Sequence, residues 1–327
     1  MAKSQPHALW SIILAGGEGE RTRPFIEKWL GYPKPKQYCT FVGTRSMLQH
    51  TLARADRLGT NHQKITVVSQ AHQGYASEAL EGQQAGQVIL EPDYCGTLPG
   101  IYLPLMYVRA WDPNATVVIF PADHFVFPED RFLETVERAT RASHFLQDRI
   151  LLVGVRPTHF ELDSSWVNVG GVLGWNGRSC VRQVVSFLHK PGRIEVLNAL
   201  AKGALWNTSV IVAKVATLWK LGLQYLPVIM ERFERLGQAI GSTHEGRLLR
   251  QLYQKLPILN FSPELLQRVP ECLGMIEMED VLWSDWDRPD RILHTLTVLG
   301  NEPAFLTELV TMTYSSSPSG SSLEVTS

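Results

Sequence analysis

Residues 12–24 read IILAGGEGERTRP, an apolar run that stops in a glycine-rich turn followed by two arginines and a proline. Gly16, Gly17 and Gly19 carry no Cβ, so backbone N–H groups can approach phosphate oxygens closely in this turn. The arginines add forked, charge-assisted donors for the same oxygens. The stretch therefore predicts a buried strand that ends in a loop for holding a phosphate chain.

Two other phosphate-binding loops do not fit the spacing. A dinucleotide-binding fingerprint needs GxGxxG, whereas GEGERT has a threonine in place of the third glycine. The acidic residue expected about 20 positions further on is missing, because residues 32–36 are YPKPK there. A Walker A loop needs Gly-Lys-Ser/Thr after four spacers, which this stretch lacks. For the glycines taken alone, a plain strand-to-helix turn stays open as the alternative.

The first half of the chain alternates short apolar runs with longer segments of helical period. Residues 45–58 and 129–146 repeat apolar residues near every 3.6 positions, which predicts helices. Five short runs, apolar or β-branched and bounded by turn or polar residues, predict buried strands. These runs are residues 10–15, 64–69, 87–92, 116–123 and 150–155. Such alternation implies an α/β fold with a mostly parallel, Rossmann-like sheet flanked by helices.

The pattern changes after residue 156, where strands lie close together in sequence. Residues 166–175 and 181–191 predict a strand pair joined at Asn176 and Gly177, which indicates an antiparallel insertion. Further predictions are a helix over 191–203, a strand over 205–213, helices through much of 214–256, extended chain over 272–283 and a helix from about Pro289.

No internal repeat or long linker divides the chain, so we expect one α/β domain over residues 1–314. Within this domain a first half spans about 8–156 and a second half spans about 157–300. Residues 315–327 are too polar and too rich in serine to bury a core, which predicts a disordered tail.

Composition excludes several classes of protein. The 327 residues include 31 basic and 32 acidic side chains. Such a balance lacks the clustered Lys and Arg of nucleic-acid and membrane-surface proteins, so we expect neither partner. The four cysteines lie far apart without metal-ligand spacing, which predicts free thiols in a reducing compartment. Residues 1–10 lack an apolar signal core, and no run approaches about 18 apolar residues, so we expect a cytoplasmic protein.

A second basic element follows at residues 32–38, which read YPKPKQY. Proline stiffens the chain and keeps it extended, so a lysine on this segment is a positioned point charge suited to a phosphate. A solvated surface loop is the alternative if KPK is taken alone. The nearby glycine loop favours the phosphate-binding interpretation.

The string LAGGEGERTRP followed by PKQY resembles the sugar-1-phosphate nucleotidyltransferases, and most closely the mannose-1-phosphate guanylyltransferases. The resemblance implies a glycosyltransferase-A-like fold, in which residues 8–156 bind the nucleotide and residues 157–300 bind the sugar phosphate. The residues that it implies for the triphosphate are Gly16, Gly17, Gly19, Arg21 and Lys36. One departure is Glu20, which stands where the family has threonine.

Later motifs extend the resemblance along most of the chain, and FPADHFV at 120–126 is the most specific of them. The segment EPDYCGTLPGI at 91–101 resembles the part of the family that lies against the base, which implies base-side roles for Glu91 and Thr97. Weaker motifs imply a sugar-phosphate side formed by Gly170, His189, Lys190 and Asn207.

Nucleotidyl transfer joins two anions, so its catalysis depends on positioning and on neutralising charge. Mg²⁺ suits both tasks because it binds one or two carboxylates together with phosphate oxygens. Asp123 ends the predicted strand at the sheet edge where ligands bind, and the resemblance adds Asp285 as the second metal ligand. Cap or turn roles are the alternatives for both aspartates. The predicted catalytic residues are Arg21, Lys36, Asp123 and Asp285, with Mg²⁺ as the cofactor.

The resemblance implies an enzyme that uses GTP and mannose 1-phosphate to make GDP-mannose and pyrophosphate. Departures from the family, mostly on the sugar side, keep two alternatives open. One is a nucleotidyltransferase for another sugar 1-phosphate or another triphosphate, and the other is a catalytically weak regulatory protein that binds nucleotide sugars. The departures are Glu20, His189, Ser209 and Asp287. A homodimer also stays open as an expectation.

Overall fold

A nine-stranded sheet runs through the part of the chain that the computed structural model describes, residues 8–58, 63–176 and 179–300. The strands of this sheet and of a separate two-stranded ribbon are β1 (Leu9–Ala15), β2 (Lys64–Ser69), β3 (Gln87–Glu91), β4 (Thr116–Pro121), β5 (Phe125–Phe127), β6 (Ile150–Val155), β7 (Ser165–Asn176), β8 (Ser179–His189), β9 (Leu205–Lys214), β10 (Leu273–Glu277) and β11 (Leu282–Ser284). All five strands predicted in the first half are present. Gly177 of the predicted turn and the predicted tail lie outside the described residues.

The sheet has the strand order β3-β2-β1-β4-β9-β6-β10-β8-β7. The neighbouring strands β3, β2, β1 and β4 pair in parallel, and so do β6 and β10. Strands β9 and β8 run antiparallel to their neighbours. The predicted mostly parallel sheet with an antiparallel insertion is therefore confirmed. Because β9 lies between β4 and β6, strands from both predicted halves share one sheet.

Helices pack on both faces of this sheet. They are α1 (Arg23–Leu30), α2 (Met47–Asp56), α3 (Gln73–Leu80), α4 (Thr97–Trp111), α5 (Glu129–Ser143), α6 (Arg193–Ala201), α7 (Val215–Tyr225), α8 (Pro227–Gly237), α9 (Glu245–Tyr253), α10 (Phe261–Glu264) and α11 (Pro289–Val298). Ile12 and Ile13 are adjacent on β1 and fully buried, yet they belong to different hydrophobic clusters. Successive strand residues point to opposite faces, so a core lies on each side of the sheet.

The sequence pattern does not predict α1, α3 or α4, for different physical reasons. Helix α4 is buried around most of its surface and contains Pro104, so it shows no amphipathic period and carries a helix breaker. Helices α1 and α3 have 8 residues each, which is short for recognition by period.

A third, smaller cluster joins α1 to α11 beside the glycine loop. Phe25 and Ile26 from α1 pack with Phe41, Trp286 and Ile292. Trp286 is 2% exposed, so it anchors the segment that leads from β11 into α11. The apolar contacts therefore fix this segment next to the amino end of the chain's first helix.

No helix in the described ranges is both long and apolar enough to span a membrane. The four cysteines lie within these ranges and are free thiols, as their spacing predicts. Burial raises the pKa of Cys39 to about 12, which disfavours a reactive thiolate there.

Candidate active site

The glycine loop leaves the carboxyl edge of β1 and packs against the end of β3. A Cβ on Gly16 would lie 2.5 Å from Oε2 of Glu91, so only glycine permits this close approach. Gly19 has a φ of +61°, and its carbonyl accepts hydrogen bonds from the N–H groups of Thr22 and Arg23, both at 3.1 Å. The loop is therefore a tight turn that leads directly into α1.

Gln37 and Tyr38 of the PKQY motif hold the carbonyl groups of this loop. The Gln37 side chain donates to the carbonyls of Ala15 and Gly17, both at 2.9 Å. The Tyr38 hydroxyl donates to Ala15 at 3.1 Å. Both side chains are buried, so water competes poorly for these bonds. Neither residue was predicted from sequence, although their place beside Lys36, the lysine predicted to bind phosphate, was an available signal.

The two glutamates of the loop have different surroundings. Glu18 lies 3.6 Å from Nε2 of His72, whose imidazole is buried. Burial lowers the pKa of His72, and Glu18 opposes that shift. Glu20, the departure from the family in this loop, is exposed, so solvent and salt screen its charge.

Lys36 is the centre of the site. Its side chain is 3% exposed, and its ammonium lies 3.0 Å from Oδ2 of Asp123 and 3.2 Å from Oδ1 of Asp287. It also donates to the backbone carbonyl of Asp285 at 3.1 Å. Burial disfavours the ammonium, but the three aspartates outweigh burial and raise the pKa of Lys36. The structure thus brings Lys36 together with both predicted metal ligands.

A short ribbon brings these distant aspartates together. Strand β5 begins soon after Asp123, and β11 ends immediately before Asp285. The two strands pair antiparallel, with Ser284 opposite Phe125. Continuing that register places Asp285 beside His124, which directly follows the first aspartate in sequence. The convergence therefore depends on a long-range strand pair that no local sequence signal indicates.

His124 supports this arrangement and is itself buried beneath it. Its Nε2 lies 3.7 Å from Oδ1 of Asp123, and its Nδ1 accepts a hydrogen bond from Trp283 at 3.3 Å. Burial lowers the pKa of His124, although the nearby aspartates oppose the shift. A neutral imidazole that accepts a hydrogen bond from Trp283 and packs beside Asp123 fits a supporting role.

Arg291 orients the carboxylate of Asp285. The Asp285 Oδ2 atom contacts the Arg291 guanidinium, and Oδ1 accepts the N–H of Asp287 at 3.1 Å. Burial favours the neutral acid, but Arg291 and then Lys36 outweigh burial and lower the pKa of Asp285. Arg291 also pairs with Glu161 at 2.8 Å. Arg291 was not predicted from sequence, because it lies on α11 beyond the last recognisable motif.

The donors at this position suit a hard divalent cation. The Asp123 side chain is 31% exposed, so its carboxylate can reach both solvent and ligand. Within the described ranges, no cluster of three or more His, Cys, Asp or Glu side chains forms a metal site by itself. A cation bound by Asp123 and Asp285 would complete its shell with phosphate oxygens and water, which is the usual arrangement for Mg²⁺.

Arg21 reaches the same cluster from the glycine loop. Its NH1 atom lies 3.4 Å from Asp163 and 3.5 Å from Oδ2 of Asp287. Arg288 also donates to Asp163, at 3.2 Å. The Arg21 side chain is 41% exposed and can therefore meet a ligand from solvent. All four predicted catalytic residues thus face one cluster, while Asp163 and Arg288 were not found from sequence.

The base-side residues lie where β3 ends and α4 begins. Glu91 is 4% exposed, and its Oε1 accepts a hydrogen bond from Tyr253 at 2.9 Å. Burial raises the pKa of Glu91 to about 7, while the Tyr253 hydrogen bond opposes the shift. Thr97 accepts the N–H of Phe261 at 2.9 Å. The structure therefore places Glu91 against the glycine loop, whereas the Thr97 hydroxyl fixes the start of α10.

The predicted sugar-phosphate residues lie on β7, β8 and β9. His189 and Ser165 face each other across the β7–β8 pair and share a hydrogen bond of 3.0 Å. Burial and the neighbouring Lys190 lower the pKa of His189, which favours a neutral ring. Asn207 is 6% exposed, and within the described residues its Oδ1 has no hydrogen-bond partner. A buried carbonyl oxygen without a partner costs free energy, so this position has unmet hydrogen-bonding capacity.

Two residues with positive φ angles lie just after β8 and within β9. Lys190 has a φ of +48° and Ser209 a φ of +58°, a region that non-glycine residues rarely adopt. Ser209 lies where the pairing of β6 with β9 is irregular. Gly170 has a packing role, since a Cβ there would lie 2.9 Å from the Val185 side chain. The contacts described for His189 and Gly170 are with residues of the neighbouring strands. They do not involve the Lys36 cluster, which is Lys36 with Arg21, Asp123, Asp285 and Asp287.

The fold and the Lys36 cluster together define a class of protein. The family model described as "Nucleotidyl transferase" matches residues 10–240, which is more than half of the chain. The chain therefore belongs to the nucleotidyl transferase family. The resemblance that the sequence motifs indicate is confirmed at this level.

Two relatives show which proteins of the family this chain is similar to. A mannose-1-phosphate guanylyltransferase of Escherichia coli is 25% identical over 281 residues, which cover 84% of this chain and 58% of that protein. The xanthan biosynthesis protein XanB of Xanthomonas campestris pv. campestris (strain B100) is 26% identical over 227 residues, covering 68% and 46%. This chain thus spans about half the length of these relatives.

A crystal structure supports the same fold. The mannose-1-phosphate geranyltransferase of Thermus thermophilus superposes with a TM-score of 0.71 at 22% identity. The match covers 85% of this chain and 76% of the other. At this identity the likeness establishes the fold, and the fold class predicted from the sequence is confirmed.

Proposed function

We propose that this chain transfers a guanylyl group from GTP to mannose 1-phosphate, releasing pyrophosphate and forming GDP-mannose. The observation that carries the proposal is the convergence of Lys36, Arg21, Asp123 and Asp285 on one cluster. Cations that bind phosphates and carboxylates that bind a metal are the groups needed to bring two anions together. The relatives named mannose-1-phosphate guanylyltransferase support the choice of base and sugar.

In this proposal the chain's cations hold the leaving group. Arg21 and Lys36 bind the phosphates that depart as pyrophosphate, and backbone N–H groups of the glycine loop contact the same phosphates. Asp123 and Asp285 would hold Mg²⁺, which neutralises phosphate charge when bound. The attacking sugar phosphate oxygen is already an anion. The remaining residues therefore need only position it in line with the α-phosphorus.

In this proposal different residues recognise the base and the sugar. Glu91 lies against the glycine loop, and its carboxylate can accept hydrogen bonds from a base. We assign the unpaired carbonyl oxygen of Asn207 to a sugar hydroxyl. His189 and Lys190 lie at the end of β8, which pairs with β7, as does β9, the strand that carries Asn207. An imidazole in place of the family's glutamate changes this recognition, so the choice of sugar needs a direct test.

A panel of substrates tests the proposal. Pyrophosphate release is measured with Mg²⁺ for a set of nucleoside triphosphates against mannose 1-phosphate and other sugar 1-phosphates. We expect the GTP and mannose 1-phosphate pair to react fastest, and Asp285→Asn to abolish that reaction. If a different pair reacted faster, the proposed substrates would be wrong, but nucleotidyl transfer would still be the reaction. A folded protein that turns over no pair contradicts the proposal.

One observation favours a regulatory protein as the second candidate. Asp287 and Asp163 already pair with Arg21, so a bound triphosphate has to displace carboxylates. A protein that binds nucleotide sugars without chemistry would be stabilised by GDP-mannose and would consume no triphosphate. Thermal melting with GDP-mannose, followed by an assay of triphosphate consumption, separates this candidate from the enzyme.

A further inference from the structure

The carboxylate of Asp287 lies between the two cations assigned to the phosphates. One oxygen is 3.2 Å from the Lys36 ammonium, and the other is 3.5 Å from the Arg21 guanidinium. The carboxylate therefore occupies a hydrogen-bond donor of Lys36 and offsets the positive charge of Arg21, both of which a phosphate would otherwise use.

The ammonium of Lys36 has no donor to spare in this arrangement. A protonated lysine carries three N–H donors and no acceptor. Three oxygens lie around the Lys36 ammonium, from Asp123 at 3.0 Å, from the backbone of Asp285 at 3.1 Å and from Asp287 at 3.2 Å. A phosphate oxygen that binds Lys36 must therefore replace one of them.

Asp287 is the partner that can leave most easily. The Asp285 partner is a backbone carbonyl held beside β11, and Asp123 is the proposed metal ligand. The Asp287 side chain is 45% exposed, compared with 31% for Asp123, so water can solvate its charge once it turns away.

The backbone of this segment keeps Asp287 in reach of the cations. Trp286 has a φ of +47° and is buried, with its ring stacked on Phe125 at 5.1 Å between centroids. The N–H of Asp287 donates to Oδ1 of Asp285 at 3.1 Å. The fixed backbone and exposed side chain together give a carboxylate that stays available to both cations.

We propose that Asp287 competes with the phosphates of the nucleotide for Arg21 and Lys36, and so sets the affinity of the site for polyphosphates. The inference rests on the proposed function, because that function assigns both cations to phosphate. Removing the carboxylate frees a donor of Lys36 and removes a competing charge beside Arg21, so a polyphosphate should bind more tightly.

Calorimetric titration with magnesium pyrophosphate tests this inference without depending on the base or the sugar. Asp287→Ala should bind pyrophosphate about tenfold more tightly than the wild type, since each ion pair that no longer competes is of modest strength. Asp287→Asn, which keeps the shape, should lie between the two. Asp290→Ala is the matched control, because the Asp290 carboxylate lies in the same segment but pairs with Arg288. The affinity of this variant for pyrophosphate should not change.

The outcomes separate this inference from the proposed function. Equal or weaker binding by both Asp287 variants, with wild-type binding intact, overturns the competition and leaves the function standing. If neither the wild type nor any variant binds magnesium pyrophosphate, the phosphate roles of Arg21 and Lys36 fail, and the inference fails with them. Melting temperatures show which variants are folded. If Asp287→Ala does not fold, the affinity of Asp287→Asn decides whether Asp287 competes with the phosphates.

Discussion

At the scale of single residues, Lys36 joins the glycine loop side of the site to the carboxylates. It is buried, and oxygens from three aspartates surround its ammonium. Burial alone would favour a neutral amine, so the charge is maintained by these partners. The same contacts make the site sensitive to any change that unbalances its charges.

Replacing Lys36 tests its role in the reaction. Lys36→Met removes the buried charge that we propose holds the leaving phosphates, so we expect the turnover rate to fall by at least about 100-fold. Steady-state kinetics measure this fall, and melting curves show whether the fold is retained. Lys34→Met is the matched control in the same segment and should keep nearly full activity. Comparable rates for the two variants would contradict the assignment.

The pH dependence of activity should reflect the lowered pKa of Asp285. Burial favours its neutral form, and Arg291 and Lys36 reverse that preference. Arg291→Met removes the main opposing charge, so the pKa of Asp285 should rise and the acidic limb of the rate profile should move to higher pH. Arg288→Met, a neighbouring arginine without this contact, should leave the limb in place. An unmoved limb in the Arg291 variant would count against an ionised Asp285 in the reaction.

Glu91 should make the folded protein less stable as the pH rises. Burial raises its pKa from 4.5 to about 7, so the folded protein holds this proton more tightly than the unfolded chain does. Stability should therefore fall as pH rises from about 4.5 to about 7. Glu91→Gln stays neutral and should lack this fall, which melting curves recorded between these pH values can show. A variant with the same pH profile as the wild type would exclude Glu91 as its source.

At the scale of elements, the irregular pairing of β9 with β6 places a serine in a left-handed conformation. Ser209 has a φ of +58°, and its side chain is exposed. Ser209→Gly should stabilise the fold by about 1 kcal/mol, because glycine adopts this conformation without steric cost. Urea unfolding measures the change. Ser209→Ala keeps the strain and should give no such gain, and a less stable glycine variant would argue against strain at this position.

The sequence predicts elements well where the physics is local. The strands β2 and β6 are short, apolar and bounded by polar residues, and their predicted and observed ranges coincide. The three-residue strands β5 and β11 are too short to show a period, yet their pairing brings Asp123 and Asp285 together. Family motifs indicated both aspartates, whereas Asp287 was recognised only as a departure. Its contact with both cations depends on tertiary structure.

At the scale of the whole molecule, one sheet unites the strands that carry the predicted nucleotide-side and sugar-side residues. Strand β9, which carries Asn207, lies between β4 and β6, so the predicted halves cannot be separated without breaking the sheet. The prediction of one domain over residues 1–314 is consistent with this sheet but stays a prediction. The alternation of strand and helix patterns indicated the α/β fold, whereas the position of β9 in the strand order follows from long-range pairing alone.

The most direct test of the account is a crystal structure of the protein with GTP and a divalent cation. We predict that Asp123 and Asp285 bind the same ion, that Arg21 and Lys36 contact the phosphates that leave, and that the Asp287 side chain turns away from both cations. An ion bound elsewhere, or phosphates held without Arg21 and Lys36, would contradict the central claim.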